Sequence, residues 1–206
     1  LRPDLIKCLD DAGIPHVSIE SLKEKAYSIV GRPDPVQFKD KVVAVLEARD
    51  GTILDVVRDP RWGRTLECYG EDPYLIASLG AEMVKGIQSQ GVASTLKHYA
   101  VYSVPKGGRD GNCRTDPHVA PRELHQLYLY PFKKVIQEAH PMGVMSSYND
   151  WDGVPVTASY YFLTELLREE YGFDGYVVSD SEAVEYVQTK HRVADTYDAV
   201  SYTHLT

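Results

Sequence analysis

Short apolar runs alternate with amphipathic stretches over most of the second half of the chain. The runs at residues 92–96, 143–147 and 176–179 are apolar and β-rich, which predicts buried strands. Apolar residues at helical spacing predict helices at 73–90, 119–139 and 159–171, with a kink at Pro131. This alternation predicts an α/β fold with a parallel sheet and helical crossovers.

The first of these helices has the clearest boundaries. Asp72 is a favoured N-cap, Pro73 suits the first turn, and Gly91 follows the last apolar position. The predicted buried stripe consists of Leu75, Ile76, Leu79, Met83, Val84 and Ile87.

Residues 1–58 show a different pattern, that of a small α/β segment. Ser21 and Glu24 form a capping box that opens a helix, and two prolines make 32–35 a rigid connector. Apolar runs at 42–48 and 52–57 flank Asp50 and Gly51, a dipeptide typical of tight turns. These features predict a β-hairpin from 42 to 57.

Polar residues close the three predicted strands of the second half. Lys97 and His98 follow the first strand, Tyr148 follows the second, and Asp180 follows the third. In a barrel or a doubly wound sheet such strand ends meet at one edge, so these side chains are expected to share a cleft. Asp180 has an alternative interpretation as the N-cap of a helix at 181–187.

Composition and charge exclude several classes of partner. The 206 residues carry a net charge of −8, which argues against nucleic acid or an anionic membrane as the main partner. No apolar run approaches the roughly 20 residues of a membrane span. The three cysteines, the seven histidines and the glycines lack the spacing of metal or nucleotide sites, so no cofactor is expected. Localisation stays unknown.

A carboxylate beside Arg, Lys, His and Tyr in one cleft suits the cleavage of glycosidic bonds. A fixed carboxylate can attack the anomeric carbon of a sugar and form a covalent intermediate. The cationic side chains can hold sugar hydroxyls by charge-assisted hydrogen bonds, and they keep the carboxylate ionised.

Five motifs in residues 59–199 resemble the N-terminal barrel of glycoside hydrolase family 3. They are Arg61-Trp-Gly-Arg64, Tyr69-Gly-Glu-Asp-Pro73, Lys97-His98-Tyr99, Met145-Ser-Ser-Tyr148-Asn149 and Val178-Ser-Asp180. The loop at 107–116 resembles the β-glucosidase and β-xylosidase branch of that family. The resemblance implies a partial (β/α)8 TIM-like barrel, preceded by the small α/β segment with its hairpin.

The resemblance also implies roles for six residues. Asp180 matches the nucleophile. The other five match substrate-binding positions: Arg64, Lys97 and His98 for hydroxyls of the terminal sugar, and Tyr148 and Met145 for the lining of that subsite.

Each of these residues has a structural alternative. Arg64 could form an ion pair with Glu67 or Asp72, and Lys97 and His98 could be solvated loop charges. Tyr148 and Met145 could be packing residues of the core.

The family resemblance implies a retaining exo-acting hydrolase of terminal β-D-glucosides or β-D-xylosides. Retention needs a second carboxyl group, which in this family usually comes from a later domain. Glu182 and Glu185 are too close to Asp180 in sequence to face it across a sugar, so this chain is expected to show little turnover. A non-catalytic sugar-binding protein is an alternative.

Residues 1–58 resemble the C-terminal tail of the citrate lyase alpha subunit, a transferase component, and no functional residue is carried over from it. Residues 200–206 depart from the glycosidase pattern and back-translate to a sequence resembling a sequencing adapter. With the change of pattern near residue 58, this predicts a chimeric reading frame.

Overall fold

The computed structural model describes residues 52–103, 115–196 and 199, together with the backbone of residues 32–38 and 41–47. The strands are β1 (Arg32–Phe38), β2 (Lys41–Glu47), β3 (Thr52–Ile53), β4 (Thr95–Tyr99), β5 (Gly143–Ser146), β6 (Asp150–Trp151), β7 (Val154–Pro155) and β8 (Tyr176–Ser179). The helices are α1 (Pro73–Ser89), α2 (Tyr130–Ala139), α3 (Tyr161–Glu170) and α4 (Ala183–Thr189). Short helical turns cover Pro60–Trp62, Thr65–Glu67, Pro121–Glu123, Leu124–Tyr128 and Val156–Ala158.

Four of the strands form one parallel sheet in the order β3-β4-β5-β8. Helix α1 lies between β3 and β4 in the chain, α2 between β4 and β5, and α3 between β5 and β8. The predicted alternation of strands and helices is therefore confirmed, and the fold is mixed α/β with a parallel sheet. The predicted burial of the run at 176–179 is wrong, because β8 is the last strand of this sheet and its residues are half-buried or exposed. Within the described residues this sheet is open, and its closure into a barrel stays a prediction.

The predicted hairpin between 42–48 and 52–57 is wrong. Strand β1, which includes the expected connector at 32–35, pairs antiparallel with β2. The run at 52–57 contributes β3 to the parallel sheet, where Ile53 pairs with Lys97 of β4. Residues 52–56 are all buried, and a strand buried on both faces suits a parallel sheet, whereas a two-stranded hairpin leaves one face to solvent.

The start of α2 and the position of β4 bear on two further predictions from the sequence. The interruption of the long helix before α2 is confirmed, because a π-type turn ends at Tyr128 and Pro131 lies in the first turn of α2. Strand β4 lies three residues later than the run at 92–96, so Lys97 and His98 lie inside the strand rather than after it.

Helix α1 begins as predicted, because the Asp72 carboxylate accepts a hydrogen bond from the backbone N–H of Tyr74 at 2.8 Å. Its buried face differs from the predicted stripe, since Leu75 and Leu79 are each 45% exposed. The buried residues are Ile76, Ala77, Gly80, Ala81, Val84 and Ile87. Small residues face the sheet because the approach is close: a Cβ on Gly80 would lie 2.5 Å from Leu54.

The hydrophobic core lies between the sheet and its helices. Leu54, Leu96 and Val144 of the strand segments pack with Phe132 of α2 and Leu167 of α3, and each is almost fully buried. Burying side chains of this size stabilises the fold by roughly 1.5–3 kcal/mol each. None of the helices in the described ranges has the length and apolar character needed to cross a membrane.

Arg168 and Gly175 position the segment that immediately precedes β8. Arg168 Nη1 donates to the carbonyl oxygens of Phe173 and Gly175, at 3.0 and 2.6 Å. A Cβ on Gly175 would overlap the carbonyl oxygen of Met142, so a larger residue would push β8 away from β5. These contacts fix the segment that leads into β8. Asp180 directly follows β8, so they help to position it.

Candidate active site

The carboxyl ends of four parallel strands bring polar side chains to one edge of the sheet. Asp55 comes two residues after β3, His98 lies near the end of β4, and Tyr148 comes two residues after β5. Asp180 follows β8 directly, and its backbone N–H donates to the Ser146 carbonyl of β5 at 3.1 Å. The predicted convergence of strand ends is confirmed for these elements.

Among the described residues, only one of the two Asp180 carboxylate oxygens accepts a hydrogen bond. Its Oδ1 accepts a hydrogen bond from the backbone N–H of Ser181 at 2.8 Å. Its Oδ2 is buried, has no hydrogen-bond partner among the described residues, and lies 3.8 Å from His98 Nε2. The N-cap interpretation of Asp180 is wrong, because α4 begins later and its N-cap is Glu182, with a φ of 63°.

His98 lies between a carboxylate and a guanidinium. Its ring is 2% exposed, and Nδ1 lies 2.7 Å from Asp55 Oδ2. The same Asp55 oxygen accepts the backbone N–H of His98 at 3.1 Å. The opposite nitrogen, Nε2, lies 3.0 Å from Arg64 Nη1. His98 is thus a buried part of the site, and the alternative of a solvated loop charge is wrong.

Arg64 is fixed by Glu67 through two hydrogen bonds. Nε donates to Glu67 Oε1 at 2.8 Å and Nη2 donates to Oε2 at 2.5 Å. Burial opposes the charge of Arg64, but the hydrogen bonds to Glu67 outweigh it, so the pKa of Arg64 is raised. The ion pair with Glu67 therefore exists alongside the contact to His98, whereas Asp72 is occupied as the cap of α1.

Lys97 is 7% exposed and lies in β4, in register with Ile53. Burial, and next the positive charge of Arg64, lower its pKa, while Glu67, Asp180 and Asp55 act in the opposite direction. The burial of Lys97 within β4 rules out the alternative of a solvated loop charge.

An aromatic wall, formed by Trp62, Tyr102 and Tyr148, lines the site. The Tyr102 ring centroid lies 5.6 Å from that of Trp62, 4.5 Å from that of His98 and 5.8 Å from that of Tyr148. Burial, and next the charge of Asp180, raise the pKa of Tyr148 above its ordinary value. Tyr148 is only half-buried, which distinguishes it from a simple core residue.

Met145 lies in β5 and pairs in register with Val178 of β8. Its neighbour Val144 belongs to the core under the helices. Successive strand residues point to opposite faces, so Met145 lies on the face of the sheet away from that core. Its side chain is 9% exposed, and no described contact joins it to Asp180.

Four residues of the site were missed in the sequence: Asp55, Glu67, Trp62 and Tyr102. Asp55 follows a buried run in the way that Asp180 does, which is a signal that sequence reasoning could have used. Trp62 lies inside a motif quoted above. The loop at 104–114 lies outside the described residues, but Asp116 beyond it accepts hydrogen bonds from the N–H groups of His118 and Gly153.

The arrangement combines two cationic side chains with a buried carboxylate oxygen that has no hydrogen-bond partner among the described residues. An oriented carboxylate of this kind can act as a nucleophile. No group of three or more His, Cys, Asp and Glu side chains in the described ranges is placed to hold a metal ion.

Two family models match this chain. Residues 51–201 match the N-terminal domain of glycosyl hydrolase family 3, and residues 1–60 match the citrate lyase alpha subunit. The two matches overlap at 51–60. In the overlap, β3 belongs to the parallel sheet that carries the site.

Curated relatives show the same similarity. A β-xylosidase from Formosa agariphila is 36% identical over 151 residues, which cover 69% of this chain and 20% of the relative. A periplasmic β-glucosidase from Salmonella typhimurium is 35% identical over 179 residues, which cover 81% of this chain and 23% of the relative. The chain spans about a fifth of the length of these relatives.

A solved structure agrees with the sequence relatives. The β-glucosidase from Listeria innocua in complex with isofagomine matches with a TM-score of 0.68 and 34% identity, over 77% of this chain and 22% of that one. Other structures of the Listeria enzyme contain glucose or, for a mutant, laminaribiose. Because residues 51–201 match the family model, the chain belongs to glycosyl hydrolase family 3, a family of glycoside hydrolases, through its N-terminal domain.

Proposed function

We propose that this chain carries the nucleophile half of a retaining, exo-acting β-glycosidase site for terminal β-D-glucosides or β-D-xylosides. The observation that carries the proposal is the unequal environment of the two Asp180 oxygens. Oδ1 is held by the Ser181 N–H, and buried Oδ2 has no hydrogen-bond partner among the described residues. An oriented carboxylate with one unengaged oxygen is suited to attack on an anomeric carbon.

The first chemical step would form a bond between Asp180 Oδ2 and the anomeric carbon while the glycosidic C–O bond breaks. The departing oxygen takes a proton from a general acid, and a sugar ester of Asp180 remains. Water then attacks the same carbon, the ester bond breaks, and the carboxylate is regenerated. Two displacements at one carbon retain the β configuration.

The neighbouring side chains would hold the terminal sugar. Arg64, which is partly buried, and Lys97, which is buried, can donate to hydroxyl groups, and His98 Nε2 lies 3.0 Å from Arg64 Nη1 and 3.8 Å from Asp180 Oδ2. Tyr148 would form a side of the subsite next to the nucleophile, and we retain Met145 as a lining residue of the same face of the sheet.

The general acid would come from outside the described residues. Both Glu67 oxygens accept from Arg64, and Asp55 Oδ2 accepts from His98. Glu182 Oε2 accepts a hydrogen bond from the Tyr186 hydroxyl at 2.6 Å, and Glu182 is exposed. With the chain spanning about a fifth of its relatives, we expect little turnover of unactivated glycosides.

The same proposal includes the fold: the parallel sheet would be part of a (β/α)8 barrel. A parallel sheet with helical crossovers, and with the candidate chemistry at the carboxyl ends of its strands, has the organisation of a (β/α)8 barrel segment. The family match and the glycosidase structures support this assignment.

A burst assay with activated substrates tests the proposal without the general acid. The 2,4-dinitrophenyl 2-deoxy-2-fluoro-β-D-glucoside and xyloside carry a leaving group that needs little protonation, and the fluorine slows release of the sugar ester. We expect the full chain to release up to one equivalent of dinitrophenolate. Asp180→Asn should release none, and Glu185→Gln, which removes an exposed carboxylate from α4, should match the wild type.

Two results would contradict the proposal. One is an undiminished burst from Asp180→Asn, which would place the nucleophile elsewhere. The other is a folded wild-type chain, verified by near-ultraviolet circular dichroism, that binds isofagomine saturably and releases no dinitrophenolate. That second result would favour a sugar-binding role without catalysis.

A further inference from the structure

We infer that Asp55 is a positioning residue that holds His98 in the neutral Nδ1–H tautomer, and that this keeps the free oxygen of Asp180 available. The inference rests on the function proposed for Asp180, but its geometry stands on separate contacts. None of the sequence motifs pointed to Asp55.

The first step concerns the nitrogen that faces Asp55. An ionised carboxylate only accepts hydrogen bonds, so a ring nitrogen 2.7 Å from Asp55 Oδ2 must carry a proton. The same oxygen also accepts the backbone N–H of His98 at 3.1 Å. Asp55 therefore fixes both the rotation of the ring and the backbone that carries it.

The second step concerns the opposite nitrogen. A guanidinium has donors and no acceptor, so Arg64 Nη1, 3.0 Å from His98 Nε2, donates to that nitrogen. Nε2 must then present its lone pair and cannot carry a proton. The two contacts together select one protonation state of the ring, which is neutral with hydrogen on Nδ1.

The third step links this state to Asp180. His98 Nε2 lies 3.8 Å from Asp180 Oδ2, the oxygen with no hydrogen-bond partner in the part of the chain that the structure describes. A proton on Nε2 would place a donor 3.8 Å from this oxygen, where a small shift of either side chain would form a hydrogen bond, and it would oppose the Arg64 contact. By holding the proton on the far side of the ring, Asp55 leaves Asp180 Oδ2 unengaged.

Both bonds to Asp55 reach the same oxygen, and this makes a rescue experiment possible. In Asp55→Asn the amide oxygen can accept both His98 donors, so the Nδ1–H tautomer should persist. In Asp55→Ala no acceptor remains, and the ring is free to place its proton on Nε2, toward Asp180. A residue that only fills space would not separate these two variants.

The test is a long-range 1H–15N NMR spectrum of the histidine side chains in the full chain at neutral pH. His98→Gln identifies the His98 signal by its loss, and His140, which is exposed, serves as an internal reference for a solvent-accessible ring. We expect the Nδ1–H pattern in the wild type and in Asp55→Asn, and its loss in Asp55→Ala. Arg64→Met should keep the pattern, because Asp55 still accepts the proton on Nδ1 when the Arg64 contact to Nε2 is removed.

An Nε2–H or doubly protonated His98 in the wild type would overturn the inference, and so would an unchanged tautomer in folded Asp55→Ala. If Asp55→Ala does not fold, Asp55→Asn and Arg64→Met still decide, because loss of the Nδ1–H pattern in either contradicts the inference. The burst assay is independent of these spectra. A correct tautomer without a burst refutes only the function proposed for Asp180, and a burst with the wrong tautomer refutes only the role of Asp55.

Discussion

Glu67→Gln tests the ion pair that fixes Arg64 next to His98. The pair is partly buried, since the side chains of Arg64 and Glu67 are 11% and 26% exposed. An exposed pair contributes about 0–1 kcal/mol, whereas removal of one partner from a buried pair costs about 3–5 kcal/mol. This pair lies between those limits, so Glu67→Gln should lower the free energy of unfolding by about 2 kcal/mol at pH 7.

The loss of unfolding free energy in Glu67→Gln should become smaller as the pH falls. Burial opposes the charge of Glu67, but the hydrogen bonds and charge of Arg64 outweigh it, so the pKa of Glu67 is lowered in the folded chain. A lowered carboxylate pKa contributes stability that is complete above the unfolded value of about 4.3. That contribution is lost as the pH falls through the folded pKa, so the wild-type and variant stabilities should converge below about pH 4.

Urea titrations followed by tryptophan fluorescence measure both quantities. Glu82→Gln is the matched control, because Glu82 and Lys85 form an ion pair with the same sequence spacing but with side chains 73% and 49% exposed. It should change stability by less than about 0.5 kcal/mol. Equal losses in the two variants, or a Glu67→Gln loss that persists at acid pH, would refute the assignment of Arg64's position to Glu67.

Three further variants test the packing of β8 and the stability of α1. Gly175→Ala should lower the free energy of unfolding by about 1–3 kcal/mol, because its Cβ would overlap the Met142 carbonyl. Gly86→Ala, with no atom within 4 Å of the added Cβ, should be neutral or stabilising by up to about 1 kcal/mol in α1. Asp72→Ala removes the cap of α1 and should cost about 1 kcal/mol. Urea denaturation checks all three, and a Gly175→Ala no less stable than Gly86→Ala would contradict the close approach of β8 to Met142.

The sequence pattern predicted the order of strands and helices well, because each strand of the parallel sheet is a short apolar run with a polar residue near its end, although β8 is less buried than its pattern predicted. Asp180 after β8 is the clearest example. Asp55 follows the same rule after β3, but the Asp50-Gly51 turn signal assigned its run to a hairpin. The partner of β3 is β4, which lies much later in the chain. A parallel pairing across a helical crossover leaves no local signal at the strand itself.

The spacing of apolar residues along the chain also could not predict how closely the elements pack. An apolar stripe on α1 included Leu75 and Leu79, yet the helix turns Gly80 toward the sheet because space there is limited. Likewise, the motif around Arg64 indicated a site residue, but not that Glu67 holds it by two hydrogen bonds. Such contacts depend on the geometry of the folded chain rather than on residue type.

The most direct test of the central claim is to locate the covalent sugar on the chain. After incubation with the fluoroglycosides, peptide mapping by mass spectrometry should find one fluoroglycosyl group on the peptide that contains Asp180, with fragmentation assigning it to that side chain. Asp180→Asn should carry no label. A stoichiometric label on any other carboxylate, such as Asp55 or Glu67, would contradict the assignment of Asp180 as the nucleophile.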